Sequence, residues 1–192
     1  DRDTSGVMVV AKNERAFRHL AAQAAAHTFD RRYLCLVRSE FEEDRGRINA
    51  NIGRSLSDRS RMAVTGIRAK EAVTNFEVLE RFGLASLVWL QLETGRTHQI
   101  RVHMRFAGRP VLGDPVYGER EYRSWPISDE TRAALDGLIG QALHAERLGV
   151  THPVTGERLT FSAPPPQDFQ RALDALRLHA ETHPAPRQPL EP

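Results

Sequence analysis

Alternation of apolar and polar positions predicts several strands in the chain. Residues 72–81 and 87–92 alternate at a period of two, as strands with one buried face do, and residues 82–85 between them favour a hairpin. Compact apolar runs predict a buried strand at residues 7–11 and another strand at residues 32–38. Neighbouring strands of this kind indicate a sheet in which antiparallel pairs dominate.

The remaining non-helical segments predict two more strands and two connections. The final strands are predicted by the apolar positions at residues 143–145, 148–151 and 159–161. The turn at residues 152–157 joins them. Residues 40–47 are charged, and residues 49–61 mix glycine, serine and arginine without a period. We therefore expect a surface connection and an exposed loop there, and the arginines of the loop are either solvated or in contact with RNA.

Helical spacing predicts helices on both sides of these strands. Asn13 is a suitable N-cap for the first helix. The apolar face of that helix is predicted to consist of Phe17, Leu20, Ala21 and Ala24. Two later helices are predicted from residue 129 onwards and over residues 168–179.

A further helix follows the strand at residues 87–92 and carries most of the candidate chemistry. We expect Thr97 as its N-cap, Gly108 as its C′ residue and Pro110 as its stop. One face holds Ile100, His103, Met104 and Ala107, and a neighbouring face holds Arg101, Arg105 and Arg109, with Arg96 in the preceding turn. The arginines face phosphate groups, or they form a solvated flank; spacing alone leaves both alternatives open.

These elements predict an α+β domain with a mixed, largely antiparallel sheet flanked by helices. We expect one domain at residues 1–180 and a proline-rich, disordered tail at residues 181–192. The sequence shows no internal repeat and no sign of a second domain.

Composition narrows the function without deciding it. The 192 residues include 27 Lys+Arg and 25 Asp+Glu, a formal charge of only +2. Affinity for an anionic partner must therefore come from local clusters of arginine. No apolar stretch reaches bilayer length and no signal peptide is visible, so we expect no membrane association and a cytoplasmic location.

Several kinds of site are unsupported by the sequence. Cys35, the one cysteine, lies in an apolar run and is expected to be a buried core thiol, which leaves no cysteine cluster for a metal. His98 and His103 are five residues apart, so a helix would place them on different faces and we expect no metal site. We also find no nucleophile elbow, phosphate-binding glycine loop or dinucleotide fingerprint.

Four ordered motifs resemble those of the RluA-type RNA pseudouridine synthases. The chain opens with DRDTSGV, similar to the end of the family's HRLDxxTSG motif, and Tyr33-Leu34 resembles its K-x-Y strand. TGRTHQIRVHM and GRPVLGDPVYG match its third motif, and LHA with THPVTGE and FSAP resembles its C-terminal motif. The resemblance covers residues 1–166, in order and with compatible spacing, which makes it far more specific than any single motif.

The resemblance implies that uridine in RNA is isomerised to pseudouridine, without a cofactor. Asp1 would be the catalytic carboxylate, paired with Arg101, and Tyr33 would stack on the flipped base. Ile100 would form an apolar floor beneath the base. The carboxylate either attacks C1′ of the ribose or removes a ribose proton, and the sequence leaves both routes open.

The resemblance also implies a structured RNA partner, either ribosomal or transfer RNA, bound by a monomer. We expect Arg96, Thr97 and Arg31 to contact the RNA. Arg31 stands where the family has the lysine of K-x-Y, which keeps the charge and changes its reach.

The second departure from the family pattern lies before Asp1. His-Arg-Leu and the strands that precede it in the family are absent, so we expect a domain truncated at its N-terminus that is weak or inactive by itself. The alternative is an inactive RNA-binding module or remnant of the family. A sheet domain that binds no nucleic acid fits the ordered motifs less well.

Overall fold

A seven-stranded sheet lies at the centre of this computed structural model, which describes residues 1–64, 68–118 and 121–184. The strands are β1 Ser5–Gly6, β2 Asp30–Arg38, β3 Arg45–Asn49, β4 Ile52–Arg54, β5 Met62–Val64, β6 Val73–Arg81, β7 Ala85–Leu92, β8 Leu143–Thr151 and β9 Arg158–Ser162. The helices are α1 Glu14–Ala25, α2 Gln99–Phe106, α3 Asp129–Asp136 and α4 Gln167–Thr182, with a short 3₁₀ turn at Glu121–Ser124.

The strand order of the large sheet is β1-β8-β2-β7-β6-β3, with β9 also paired to β8. β1 runs parallel to β8, and the other pairs of this sheet are antiparallel. β4 and β5 form a separate two-stranded sheet. The prediction of an α+β fold with a largely antiparallel sheet is confirmed, as is the hairpin of β6 and β7.

Helices cover both faces of the large sheet because successive side chains of each strand point to opposite sides. On one face, Leu36 packs in a cluster with residues of α3 and α4, including Leu135 and Phe169. On the other face, Cys35 shares a second cluster with Ile100 and Met104 of α2. Cys35 is fully buried, as predicted.

The predicted strand at residues 7–11 is wrong. Only its first residue is tied to the sheet, through a 2.9 Å hydrogen bond from Val7 N–H to Ala145 O. Met8 and Val10 are 80% and 69% exposed. The physical reason is that β9 occupies the edge of β8 from Arg147 onwards, so no partner edge remains for this apolar run.

Residues 40–61 hold more regular structure than the sequence indicates. The predicted charged connection contains the start of β3, and Arg45 of β3 pairs with Glu77 of β6 at 2.6 Å. The expected exposed loop contains β4, and its Ile52 is 2% exposed. Both predictions failed because arginines on the outward positions interrupt the apolar pattern of these short strands.

The helices are predicted well in position and less well in orientation. Asn13 caps α1 by accepting a hydrogen bond from Ala16 N–H. However, Phe17 of the predicted apolar face is 60% exposed, whereas Gln23 is buried and donates to Thr151 O. α4 extends to Thr182, two residues into the predicted tail, and residues 185–192 lie outside the described residues.

Candidate active site

A cleft of about 160 Å³ lies between the N-terminal segment, β2 and the start of α2. It is lined by Asp1, Thr4, Arg31, Tyr33, Leu92, Gly95, Arg96, His98, Gln99, Ile100 and Leu143. Five of the seven residues predicted for the site lie in this lining. The sixth, Arg101, contacts Asp1 from below, and Thr97 is exposed outside the cleft lining.

The segment that carries Asp1 is held to the sheet at three points. β1 pairs with β8, and the Ser5 hydroxyl bonds His144 Nδ1 at 2.8 Å. Gln141 donates from Nε2 to Arg2 O at 2.7 Å and to Thr4 Oγ1 at 3.0 Å. The side chain of Asp1 is consequently only 21% exposed, although it belongs to the first residue of the chain.

Arg101 approaches Asp1 but makes its short hydrogen bonds elsewhere. Its Nη1 lies 3.8 Å from Asp1 Oδ2, an ion-pair distance. Nε and Nη2 instead donate to the two oxygens of Asp114, at 2.7 and 2.8 Å. Arg101 thus lies at ion-pair distance from Asp1, as expected, and a second partner that was not expected, Asp114, holds its guanidinium in place.

Asp114 is a buried carboxylate that stays ionised and is held in place by hydrogen bonds. Burial by itself would raise its pKa, but the hydrogen bonds from Arg101 and from the backbone N–H groups of Tyr117 and Val116 outweigh burial, and the pKa falls below its ordinary value. No role was predicted for Asp114 from the sequence, although it stands in the quoted GRPVLGDPVYG motif.

The entry to α2 differs from the predicted cap. The N-cap position belongs to His98, in the left-handed region with φ of 57°, and not to Thr97. The side chain of His98 makes no capping hydrogen bond. The buried Gln99 instead fixes the turn before the helix, because its Oε1 accepts from Arg96 N–H at 2.9 Å and from the Thr94 hydroxyl at 2.7 Å. At the other end, Gly108 takes the left-handed C′ conformation as predicted.

His98 faces the Asp1 carboxylate from the side opposite its own hydrogen bond. Its Nε2 lies 3.9 Å from Asp1 Oδ1, and its Nδ1 lies 2.8 Å from the Tyr117 hydroxyl oxygen. Burial, reinforced by the nearby Arg101 guanidinium, lowers the pKa of His98, so the ring is neutral at neutral pH. His98 was considered from the sequence only as a metal ligand, and its position beside Asp1 was not predicted.

Tyr33 and Ile100 form the apolar wall of the cleft. Both belong to the cluster beneath α2, and Ile100 is 4% exposed. Burial raises the pKa of the Tyr33 phenol, against the opposing effect of the Arg31 guanidinium. Tyr33 is therefore a neutral phenol at neutral pH, suited to stacking and unable to accept a proton until it loses its own.

Arg31 and Arg96 supply the positive charge at the rim. Gly95 allows Arg31 to approach, since a Cβ at that position would lie 2.8 Å from Arg31 Nη1. Arg31 Nε is buried without a hydrogen-bond partner in the described structure. Arg96 donates from Nε to Glu71 O at 2.8 Å.

The contacts of Arg101, Arg105 and Arg109 bear on whether these arginines face phosphate groups or form a solvated flank. Arg105 donates to Tyr117 O at 2.8 Å, and Arg109 donates to Glu40 O at 2.6 Å. Arg101 is 4% exposed. Arg101 is therefore buried and fits neither alternative, whereas Arg105 is exposed and, like the partly exposed Arg109, is tied to a backbone carbonyl.

Among the described residues, the side chains offer no metal site and the helices offer no membrane span. Within residues 1–64, 68–118 and 121–184, no group of three or more His, Cys, Asp or Glu side chains could hold a metal ion. His103 is buried between Thr74 Oγ1 and Ala50 O, each 2.9 Å from a ring nitrogen. Among the described helices, none is both long enough and apolar enough to span a membrane.

Comparison with known proteins identifies the family. The family model for RNA pseudouridylate synthase matches residues 1–106, which is more than half of the chain. The chain belongs to the RNA pseudouridylate synthase family. The resemblance of the motifs is thereby confirmed.

Curated relatives carry pseudouridine synthase names. The chain is 47% identical over 177 residues to the uncharacterized RNA pseudouridine synthase YlyB of Bacillus subtilis, covering 92% of the chain and 54% of the relative. It is 45% identical over 181 residues to the ribosomal large subunit pseudouridine synthase D of Neisseria meningitidis, covering 94% and 47%. The chain therefore spans about half the length of these pseudouridine synthases.

Solved structures of pseudouridylate synthase domains share the fold. The human RNA pseudouridylate synthase domain containing 1 protein matches with a TM-score of 0.70 and 29% identity, covering 92% of this chain and 77% of the other. The human domain containing 4 protein matches with a TM-score of 0.72 and 28% identity, covering 92% and 73%. The α+β sheet with its flanking helices is thus the pseudouridylate synthase fold.

Proposed function

We propose that the protein isomerises uridine to pseudouridine in RNA, with Asp1 as the catalytic carboxylate. The observation that carries this proposal is the convergence of Asp1, Tyr33, Arg31 and Ile100 on one small cleft. In the reaction, the bond from uracil N1 to C1′ breaks, a bond from C5 to C1′ forms, and a proton leaves C5 while N1 gains one. Atoms and electrons balance within the substrate.

Asp1 is placed to act on the ribose. Arg101 and His98 both face its carboxylate and hold negative charge at this end of the cleft. The carboxylate either forms a bond to C1′ as the uracil leaves, or removes a ribose proton to expel the uracil. Both routes need an oriented carboxylate, which the tethered N-terminal segment provides.

Tyr33 and Ile100 are suited to hold the uracil. Aromatic stacking on Tyr33 requires the nucleotide to leave its helix, at a cost of a few kcal/mol. A neutral phenol offers a stacking face and a hydroxyl, and the buried Ile100 offers an apolar contact. The detached uracil can turn against such a surface because neither residue fixes it by a directional hydrogen bond.

The RNA itself is proposed to be ribosomal. Relatives at 45% identity are named ribosomal large subunit pseudouridine synthases, and this supports ribosomal RNA over transfer RNA. Arg31 and Arg96 at the rim are assigned to phosphates of the flipped nucleotide and its neighbours. Thr97, exposed beside them, is assigned to the same RNA strand.

The first prediction concerns the substitution Asp1→Asn. It should lower pseudouridine formation by more than about 10²-fold, while RNA binding persists because the arginines are unchanged. The protein is expressed from its gene, with whatever sequence precedes Asp1, and pseudouridines are mapped chemically in ribosomal and transfer RNA after treatment. Binding is measured by gel mobility shift.

Asp3→Asn is the matched control for this prediction. Asp3 lies in the same segment, and its φ of 68° is one that asparagine tolerates well. It should retain activity. Equal activity of Asp1→Asn and the unsubstituted protein would refute the proposed role of Asp1. RNA binding without pseudouridine from the unsubstituted protein would indicate an inactive RNA-binding module.

A further inference from the structure

The turn at residues 114–118 lies behind both groups that face Asp1. Asp114 clamps Arg101 through two hydrogen bonds. The Tyr117 ring lies 5.0 Å from the Arg101 guanidinium carbon, and the Tyr117 hydroxyl contacts His98 Nδ1. Asp114 also fixes the turn itself, since its Oδ1 accepts from Val116 N–H and Tyr117 N–H. One short turn is therefore in contact with both partners of the carboxylate.

The hydrogen bonds of Tyr117 determine the direction in which its hydroxyl proton points. The side chain is buried, and its hydroxyl oxygen accepts a 2.9 Å hydrogen bond from Met62 N–H. Among the residues that the structure describes, His98 Nδ1 is the one acceptor within reach of the hydroxyl proton. A buried phenol needs such an acceptor. The proton of Tyr117 therefore points to Nδ1, and a neutral His98 carries its own proton on Nε2.

We propose that Tyr117 is a positioning residue that holds His98 in the tautomer whose Nε2–H faces the Asp1 carboxylate. The other tautomer would turn a nitrogen lone pair toward that carboxylate and repel it. Tyr117 acts through His98 and does not touch the substrate. The consequence for catalysis rests on the proposed function, whereas the tautomer itself does not.

Charged groups from several elements surround His98. They are the carboxylate of Asp1, Arg101 from α2, Asp114 from the turn and Arg54 from β4. Protonation of the His98 ring would add a positive charge beside Arg101. The charged ring would attract the Asp1 carboxylate more strongly than the neutral ring does. Because a charged ring would draw the carboxylate away from the ribose, we expect activity to fall as the pH drops through the pKa of His98.

The variant Tyr117→Phe isolates the hydroxyl. Phenylalanine keeps the ring that contacts Arg101 and removes the hydrogen bond to His98 Nδ1. ¹⁵N NMR of the histidine ring should show the Nε2–H tautomer in the unsubstituted protein, and a mixture of tautomers with a raised His98 pKa in the variant. The kcat should fall roughly tenfold, the equivalent of one neutral hydrogen bond, with KM unchanged and the acid limb of kcat at higher pH.

Two further variants separate positioning from stability. Tyr122→Phe removes the hydroxyl of another buried tyrosine, which bonds Asp136 at 3.1 Å, and should leave the His98 resonances and the pH profile unchanged. His98→Asn suits the left-handed backbone and removes Nε2. Adding Tyr117→Phe to it should cause no further loss of kcat, because the hydroxyl acts through the ring.

The outcomes separate this proposal from the proposed function. An unchanged His98 tautomer and titration in Tyr117→Phe would overturn the positioning role. So would a full additional loss of kcat in the double variant. If the unsubstituted protein forms no pseudouridine, the proposed function fails, and the NMR comparison still decides whether Tyr117 sets the tautomer.

Discussion

At the scale of single residues, the buried ion pair of Arg101 and Asp114 is explained by its role in the site and not by a contribution to stability. The two side chains are 4% and 0% exposed. Removing both charges from water offsets much of their attraction, so a buried pair contributes little net stability, whereas loss of one partner is costly. The pair is better explained by geometry, because it fixes the guanidinium that faces Asp1.

Asp114→Asn is expected to destabilise the protein in a pH-dependent way. At neutral pH the loss should be about 3 kcal/mol, because Arg101 remains charged and buried. The pKa of Asp114 is lowered by folding, so its contribution is present above the unfolded value of about 3.9 and is lost as pH falls through the lower, folded value. The difference between the two proteins should therefore shrink on acidification.

Urea unfolding between pH 7 and the acid limit of the folded state measures this difference. Asp44→Asn is the control, since its carboxylate is 81% exposed and pairs with Arg81 at the surface. That variant should show no comparable change. A gap between Asp114→Asn and the unsubstituted protein that stays constant with pH would contradict the assignment of the lowered pKa to Asp114.

Residues to which the family resemblance assigns a role were predictable, whereas residues that act by holding another side chain were not, even where they stand in a quoted motif. Asp1 and Tyr33 were recognised by their place in ordered motifs, and the structure brings them to one cleft. Asp114 and Tyr117 lie 13 and 19 residues from the side chains that they hold. No periodicity links such positions, because the chain between them reverses at Gly108.

At the scale of elements, the turn between β7 and α2 is held by a buried amide. Gln99 is 2% exposed, and its Nε2 donates to Val73 O and Thr74 Oγ1 at 2.9 and 3.0 Å. Its Oε1 accepts from Thr94 and Arg96. One side chain thereby joins the start of α2 to β6 and sets the position of the cleft wall.

Gln99→Leu should loosen this junction while keeping the side-chain volume. Several buried polar groups would lose their partner, at a cost of about 2 kcal/mol, which corresponds to a fall in Tm of roughly 4–8 °C for a chain of this size. Thermal unfolding measures the change. Gln170→Leu, in α4 with a hydrogen bond to the exposed Asp174, should change Tm little. An equal effect of both variants would show that Gln99 has no special role.

Elements with a strong pattern were predictable from the sequence. β2, β6, β7 and α4 each present apolar residues at the period of their structure, and all four were predicted near their observed bounds. β3 and β4 are short, and their outward arginines obscure the alternation. The apolar run at residues 7–11 shows the opposite failure, since composition favours a strand and the sheet offers no edge to pair with it.

At the scale of the whole molecule, a formal charge of +2 must be distributed unevenly if RNA is to bind at the cleft. The two faces of the sheet allow this distribution to be tested. Tyr33 packs in the same cluster as Phe76, on the α2 side. Glu77, the next residue of β6, points to the other face and there neutralises Arg45 at 2.6 Å.

Arg96→Gln and Arg45→Gln should therefore differ in their effect on RNA binding. Each removes one positive charge, so the net charge changes equally. Loss of a phosphate contact at Arg96 should weaken binding and lower the slope of log K against log salt by about one. Arg45 already pairs with Glu77 on the other face, and its loss should leave that slope unchanged. Fluorescence-anisotropy titrations of a ribosomal RNA stem-loop over a range of salt concentrations measure both slopes. Equal slopes for the two variants would contradict a phosphate contact at Arg96 and would show that net charge governs binding. The comparison is decisive because the two variants have the same net charge, so that only a local contact with RNA can make their slopes differ.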